Sequence, residues 1–122
     1  MKLLIIDDNM DITDAISLFA ESQDHSCHVC NDGKEGANIA KKENFDLILL
    51  DIAMPDFSGY DVLNTLKNDS NLEMKKIVVV TASNLDNLAE EKILEFGISK
   101  LVRKPISIES LQDIFSKFPL VD

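Results

Sequence analysis

The reading of this chain turns on Asp46-Leu47-Ile48-Leu49-Leu50-Asp51-Ile52-Ala53-Met54-Pro55. Four consecutive apolar residues, Leu47 to Leu50, are too few for a free-standing helix. They suit a strand buried on both faces of a parallel sheet. Asp51 closes the run, where such a strand leaves the interior, and Pro55 and Gly59 then force a turn. Ligands of open α/β sheets bind at the carboxyl ends of central strands, which is where this reading puts Asp51. A lone Asp ordinarily just begins a loop. The weight of this one depends on what stands at the ends of the other strands.

Upstream, Leu3-Leu4-Ile5-Ile6 makes a second doubly buried strand, ending in Asp7-Asp8. From about Asp11, Ile12, Ile16, Phe19 and Ala20 give the apolar stripe of a helix, which the polar run Gln23 to His25 ends. Ser26 to Asn31 alternates and suits an edge strand. Asp32 is placed to cap a weak helix over about Lys34 to Glu43, with Ala37 and Ala40 on its inner side. Beyond Gly59, Val62, Leu63 and Leu66 predict a helix from Tyr60 to Asn68, and Asn68 to Met74 reads as a polar connection. Ile77 to Val80 is a third all-apolar strand, stopping at Thr81-Ala82-Ser83. The helix about Leu85 to Phe96 follows, with Gly97 as its C-cap. Lys100 to Arg103 is a short strand ending in Lys104-Pro105, whose peptide bond is expected to be cis. Ser107 then caps a helix from about Ile108 to Phe118. Strand and helix alternate five times. That predicts one α/β domain over 1–122, a doubly wound parallel sheet with helices on both faces and right-handed crossovers.

The bulk numbers narrow the class. A length of 122 residues allows one buried core. No stretch approaches the roughly 20 apolar residues of a membrane span, and the opening apolar run is too short for a signal peptide. A cytoplasmic protein is expected. The net charge of −10 argues against direct nucleic-acid binding, which needs clustered Lys and Arg. Cys27-His28-Val29-Cys30 matches C-x-x-C on paper. In a strand, however, that spacing sends the two thiols to opposite faces, and with His25 and His28 it makes a poor zinc set.

Four strands read as central, and their carboxyl ends bring Asp7, Asp8, Asp51, Thr81 and Lys104 to one rim. Packed carboxylates repel and raise one another's pKa, and a divalent cation resolves that. Mg²⁺ takes one or two protein carboxylates, waters and phosphate oxygens. Asp8 and Asp51 are candidate ligands, with Asp7 holding a metal-bound water. Asp51 is then a candidate carboxylate nucleophile toward phosphorus. Lys104 and Thr81 are placed to receive phosphoryl oxygens.

Ile6-Asp7-Asp8-Asn9, Leu50-Asp51 with Met54-Pro55 and Gly59, Val80-Thr81-Ala82 and Lys104-Pro105 together resemble the receiver domain of two-component response regulators, especially the single-domain chemotaxis and phosphorelay type. The spacings also fit, with 43 residues from Asp8 to Asp51, 30 on to Thr81 and 23 on to Lys104. The resemblance covers essentially the whole chain. It implies a flavodoxin-like sheet of strand order 2-1-3-4-5. It further implies Mg²⁺-dependent phosphoryl transfer onto Asp51 from a histidine kinase or histidine phosphotransfer protein, with the backbone carbonyl of Ala53 completing a metal set of Asp7, Asp8 and Asp51. Such a domain catalyses only its own phosphorylation and dephosphorylation. Its output is a downstream protein bound by the fourth helix, fifth strand and fifth helix.

Three positions depart from the family pattern. Leu101 stands where an aromatic ring usually swings, and it is expected simply to pack in the fifth strand. Ala53 and Ser83 stand where side chains tune hydrolysis, and neither carries a carboxamide or carboxylate to align a water. Two other readings stay open: a fragment of a larger regulator, and an aspartyl-phosphate hydrolase on a related fold. Against the second, Asn9 occupies the place such hydrolases give to a second acid.

Overall fold

The expected alternation is realised in a computed structural model that describes residues 1–69, 71–82 and 84–120. Ser70, in the polar connection, and Ser83 lie outside the described residues, as do 121–122. The elements run β1 (Lys2–Ile6), α1 (Met10–Ser22), β2 (Ser26–Cys30), α2 (Gly33–Lys42), β3 (Leu47–Asp51) and α3 (Gly59–Lys67). After a 3₁₀ turn over Met74–Lys76 come β4 (Ile77–Thr81), α4 (Asn87–Leu94), β5 (Lys100–Arg103) and α5 (Ile108–Ser116). All neighbouring strands pair in parallel, in the order β2-β1-β3-β4-β5.

The strand composition explains this order. β3 and β4 are buried along their whole length, and Leu3 to Ile6 of β1 are at most 1% exposed. Residues buried on both faces belong in the middle of a sheet covered twice. Alternate residues feed two cores. Leu4, Ile6, Ile48, Leu50, Ile77 and Val79 meet the buried faces of α2 and α3, whereas Leu3, Ile5, Leu47, Leu49 and Val78 meet Ile16, Ala20, Leu111, Ile114 and Phe115 of α1 and α5. Each fully buried Leu or Ile contributes about 1.5–3 kcal/mol of transfer free energy. Cys27 packs on one side and Cys30 on the other, as a spacing of three in a strand requires.

Four edges of the sequence reading shift. The apolar pattern grouped the fifth strand with the central ones, but β5 is the sheet's edge, as the order 2-1-3-4-5 requires, with Lys100 and Arg103 exposed. The predicted helix Leu85–Phe96 is shorter at both ends. Asp86 caps α4 by accepting the Ala89 N–H at 2.8 Å, while Leu85 and Phe96 still pack against the core from outside the helix. Gly97 follows in the left-handed region at φ +85°. The last helix ends at Ser116 rather than Phe118, just before Pro119, which cannot continue it. Part of the polar connection before β4 is the 3₁₀ turn, whose Lys75 N–H is capped by Glu73 at 3.2 Å. The caps expected at Asp32 and Ser107 are present.

Candidate functional site

Three polar residues at the carboxyl rim are buried: Asp7, Asp51 and Thr81 are 4%, 3% and 1% exposed. Register brings them together. Ile6 lies beside Leu50 and Asp51 beside Val80, so Asp7 and Asp51 end adjacent strands, with Thr81 one residue further along the next. Thr81 in turn pairs with Arg103, which puts Lys104 just past the rim. The Lys104 N–H donates to the Thr81 carbonyl at 2.7 Å, and the Lys104-Pro105 bond is cis, as expected. Lys104 Nζ then turns inward. It donates to Asp7 Oδ2 at 3.0 Å and stands 3.4 Å from Asp51 Oδ1.

The other oxygens are also held. Asp7 Oδ1 accepts the Asn9 N–H at 2.9 Å, and Asn9 caps α1 through Ile12. Asp51 Oδ1 accepts a long 3.4 Å bond from the Ala53 N–H. Ala53 and Asp8 are exposed. The loop beyond Asp51 folds back so closely that a Cβ on Gly59 would lie 2.5 Å from the Asp51 carbonyl oxygen and the Ile52 Cα. Only glycine fits there. Asn31 went unremarked in the sequence beyond ending its strand. Its Nδ2 donates to the Asp7 carbonyl at 2.8 Å and to Thr13 Oγ1 at 3.1 Å. The available signal was a polar residue at a strand end on the same rim.

One ammonium faces three carboxylates here. Burial, and then the charge of Asp7, lift the Asp51 carboxyl from the ordinary 3.8 to about 6, against the pull of Lys104. Burial lowers the Lys104 pKa, but its bond to Asp7 and the charges of Asp7 and Asp51 outweigh that and leave it raised. Carboxylate oxygens of Asp7, Asp8 and Asp51 lie within 4.8 Å of one another. Three hard oxygen donors gathered this closely are the kind of set that a small hard cation draws together. The charge, the oxygen donors and the spacing all fit a metal ion.

The model of the response regulator receiver domain matches residues 3–116. The chain belongs to that family. The receiver is 33% identical over 113 residues to the cell cycle response regulator CtrA of Brucella ovis, covering 91% of this chain and 47% of that protein. CtrA of Brucella abortus gives the same figures. The receiver thus spans about half the length of the curated relatives it matches. Among solved structures, it superposes with a TM-score of 0.85 on the receiver domain of a sensor histidine kinase from Pseudomonas aeruginosa, at 24% identity over 97% of this chain and 96% of that one. The chemotaxis response regulator CheY4 of Vibrio cholerae also gives 0.85, at 22% identity, covering 95% and 96%. At such identities the likeness shows the fold.

Leu101 of the receiver is half-buried and packs against the core on the α2 and α3 side of the sheet. Both thiols are free, and burial raises the pKa of Cys27 and raises that of Cys30 to about 11. Among the described residues no helix is long and apolar enough to cross a membrane.

The raised Asp51 pKa has a thermodynamic consequence. Between the unfolded value of 3.8 and the folded value near 6 the native state holds more protons than the unfolded state. Stability therefore falls as the pH rises through that window and stays lower above it. Without divalent ions, Asp51→Asn should be more stable than the parent by about 1–2 kcal/mol at pH 7.5, with the difference gone below pH 4. Urea unfolding in chelator at both pH values measures it. A variant no more stable than the parent at pH 7.5 contradicts this account.

Proposed function

We propose that the receiver is a phosphorylation-operated switch that takes a phosphoryl group onto Asp51 from a histidine kinase or histidine phosphotransfer protein. The observation that carries this is Lys104 Nζ, held between Asp7 and Asp51 at 3.0 and 3.4 Å beside buried Thr81. The Asp51 oxygen forms the new bond to phosphorus while the P–N bond to the donor imidazole breaks, and the imidazole leaves after taking up a proton. Lys104 pairs with one phosphoryl oxygen, and the Thr81 hydroxyl donates to another. Asp7, Asp8, Asp51 and the Ala53 carbonyl would hold Mg²⁺, which supplies charge neutralisation when bound. The similar Pseudomonas aeruginosa receiver has a magnesium ion coordinated in its active site cleft. On this reading the receiver turns over no substrate but its own phosphoryl group, and it works in the cytoplasm, where kinases hold ATP.

An apolar groove of about 580 Å³ opens beside Lys104 between α1 and the start of α5, lined by Ile12, Phe19, Ile106 and Ile108 among others. A protein donor must bring its phosphohistidine to Asp51, and an apolar helix seated in this groove does so. Acetyl phosphate with Mg²⁺ should add one phosphoryl mass to the receiver and none to Asp51→Asn. Ile108→Glu, at a residue 60% exposed, should label normally with acetyl phosphate but at least tenfold more slowly from a phosphorylated phosphotransfer protein. Undiminished labelling of Asp51→Asn sinks the acceptor assignment.

Output leaves through α4, β5 and α5. Thr81 ends β4, Lys104 follows β5, and the backbone bond between them couples their movements. Amide shifts on phosphorylation should therefore extend over residues 84–118. A response confined to the rim would contradict this. Hydrolysis of the phosphoryl group needs a water aligned opposite the leaving carboxylate, and Ala53 cannot hold one. Phospho-receiver should persist longer than in fast chemotaxis-type receivers. Ala53→Asn should speed decay several-fold in Mg²⁺, since about 1.4 kcal/mol of orientation is tenfold in rate. Decay that is equal or slower in the variant would show that no side chain at this position sets the lifetime.

A further inference from the structure

We propose that Asn31 is a positioning residue for the divalent-cation site, clamping the acidic turn Asp7-Asp8 so that Asp8 presents its carboxylate toward Asp51. This rests on the metal reading above. Asp7 is the last residue of the β1–β2 ladder: its N–H donates to the Cys30 carbonyl at 3.1 Å. The next rung is made by a side chain. Asn31 Nδ2 donates to the Asp7 carbonyl at 2.8 Å, so both backbone polar groups of Asp7 are bound to consecutive residues of one strand end. The same nitrogen donates to Thr13 Oγ1 at 3.1 Å. Thr13 is wholly buried, and its hydroxyl donates in turn to the Met10 carbonyl at 3.1 Å. One carboxamide therefore ties the end of β2, the turn after β1 and the first turn of α1.

The turn it grips carries the one exposed acid of the three. Asp7 is fixed through its side chain by Lys104 and the Asn9 N–H, and Asp51 is fixed in its strand. Asp8 is exposed and depends on the backbone at Asp7 for its direction. Without the Asn31 bond the carbonyl of the peptide joining Asp7 to Asp8 loses its partner, and the third carboxylate is held less firmly in register with the other two. Groups that orient metal ligands from behind are worth about 10–100-fold in metal affinity.

Receiver of the parent sequence, Asn31→Ala, Thr13→Val and a control, Phe45→Leu, would be titrated with Mg²⁺ by amide NMR and with Mn²⁺ by electron paramagnetic resonance. The chain has no tryptophan to report binding. Phe45 is buried before β3, at the opposite end of the sheet, and matches a general loss of stability. Asn31→Ala should weaken both ions about tenfold, Thr13→Val by a smaller factor, and Phe45→Leu not at all. Acetyl phosphate labelling of Asn31→Ala should return to within about threefold of the parent rate at saturating Mg²⁺. Parent-like affinity in Asn31→Ala, or an equal loss in Phe45→Leu, overturns the role of Asn31 and leaves the metal site standing. Failure of the parent receiver itself to bind either ion overturns the metal reading and this inference with it.

Discussion

Lys104 carries one positive charge into a rim where Asp7, Asp8 and Asp51 bring three negative ones. Two of those acids are buried, and that burial, followed by the charge of Asp7, leaves the Asp51 pKa raised in spite of Lys104. The rest of the architecture holds that imbalance in place. Strands apolar on both faces fix Asp7 and Asp51 side by side, and the edge strand β5 returns Lys104 to face them. A site short of positive charge is ready to bind it.

The helices divide the work. α2 is built from small residues, Gly33, Gly36, Ala37 and Ala40, which let it lie close on the sheet. A Cβ on Gly36 would come within 2.7 Å of Ile6, and one on Gly33 within 2.3 Å of the Phe57 carbonyl oxygen. The loop between β3 and α3 is thus braced from two sides, by Gly33 of α2 and by Gly59 beneath Asp51. On the far side of the site α4 buries Ile93 in the core, and its Glu90 pairs with Arg103 of β5.

Much of this was legible before any coordinates. Apolar runs of four mark buried strands because nothing else of that length stays dry on both faces, so Asp7, Asp51 and Thr81 were placed by counting from the ends of those runs. Lys104 followed in the same way from the end of the fifth strand. Helix ends were less legible, because Leu85 and Phe96 are apolar and periodic yet sit outside α4; the cap at Asp86 decides the boundary, and periodicity does not register caps. From its own residues, two apolar ones between two cations, β5 read as central, and only the strand order implied by the family resemblance put it at the edge. Asn31 was invisible for a different reason. Its bonds reach back 24 and 18 residues, to a backbone carbonyl and a buried hydroxyl, and no local pattern encodes such partners.

The two outer strands set a boundary on how copies of this chain can meet. β2 has five residues and β5 four, and β5 begins and ends in exposed Lys100 and Arg103. A strand that short, flanked by cations, is a poor template for the backbone of a second molecule. With a net charge of −10 the copies also repel at long range. The β5 margin of the sheet is therefore guarded against amyloid-like stacking.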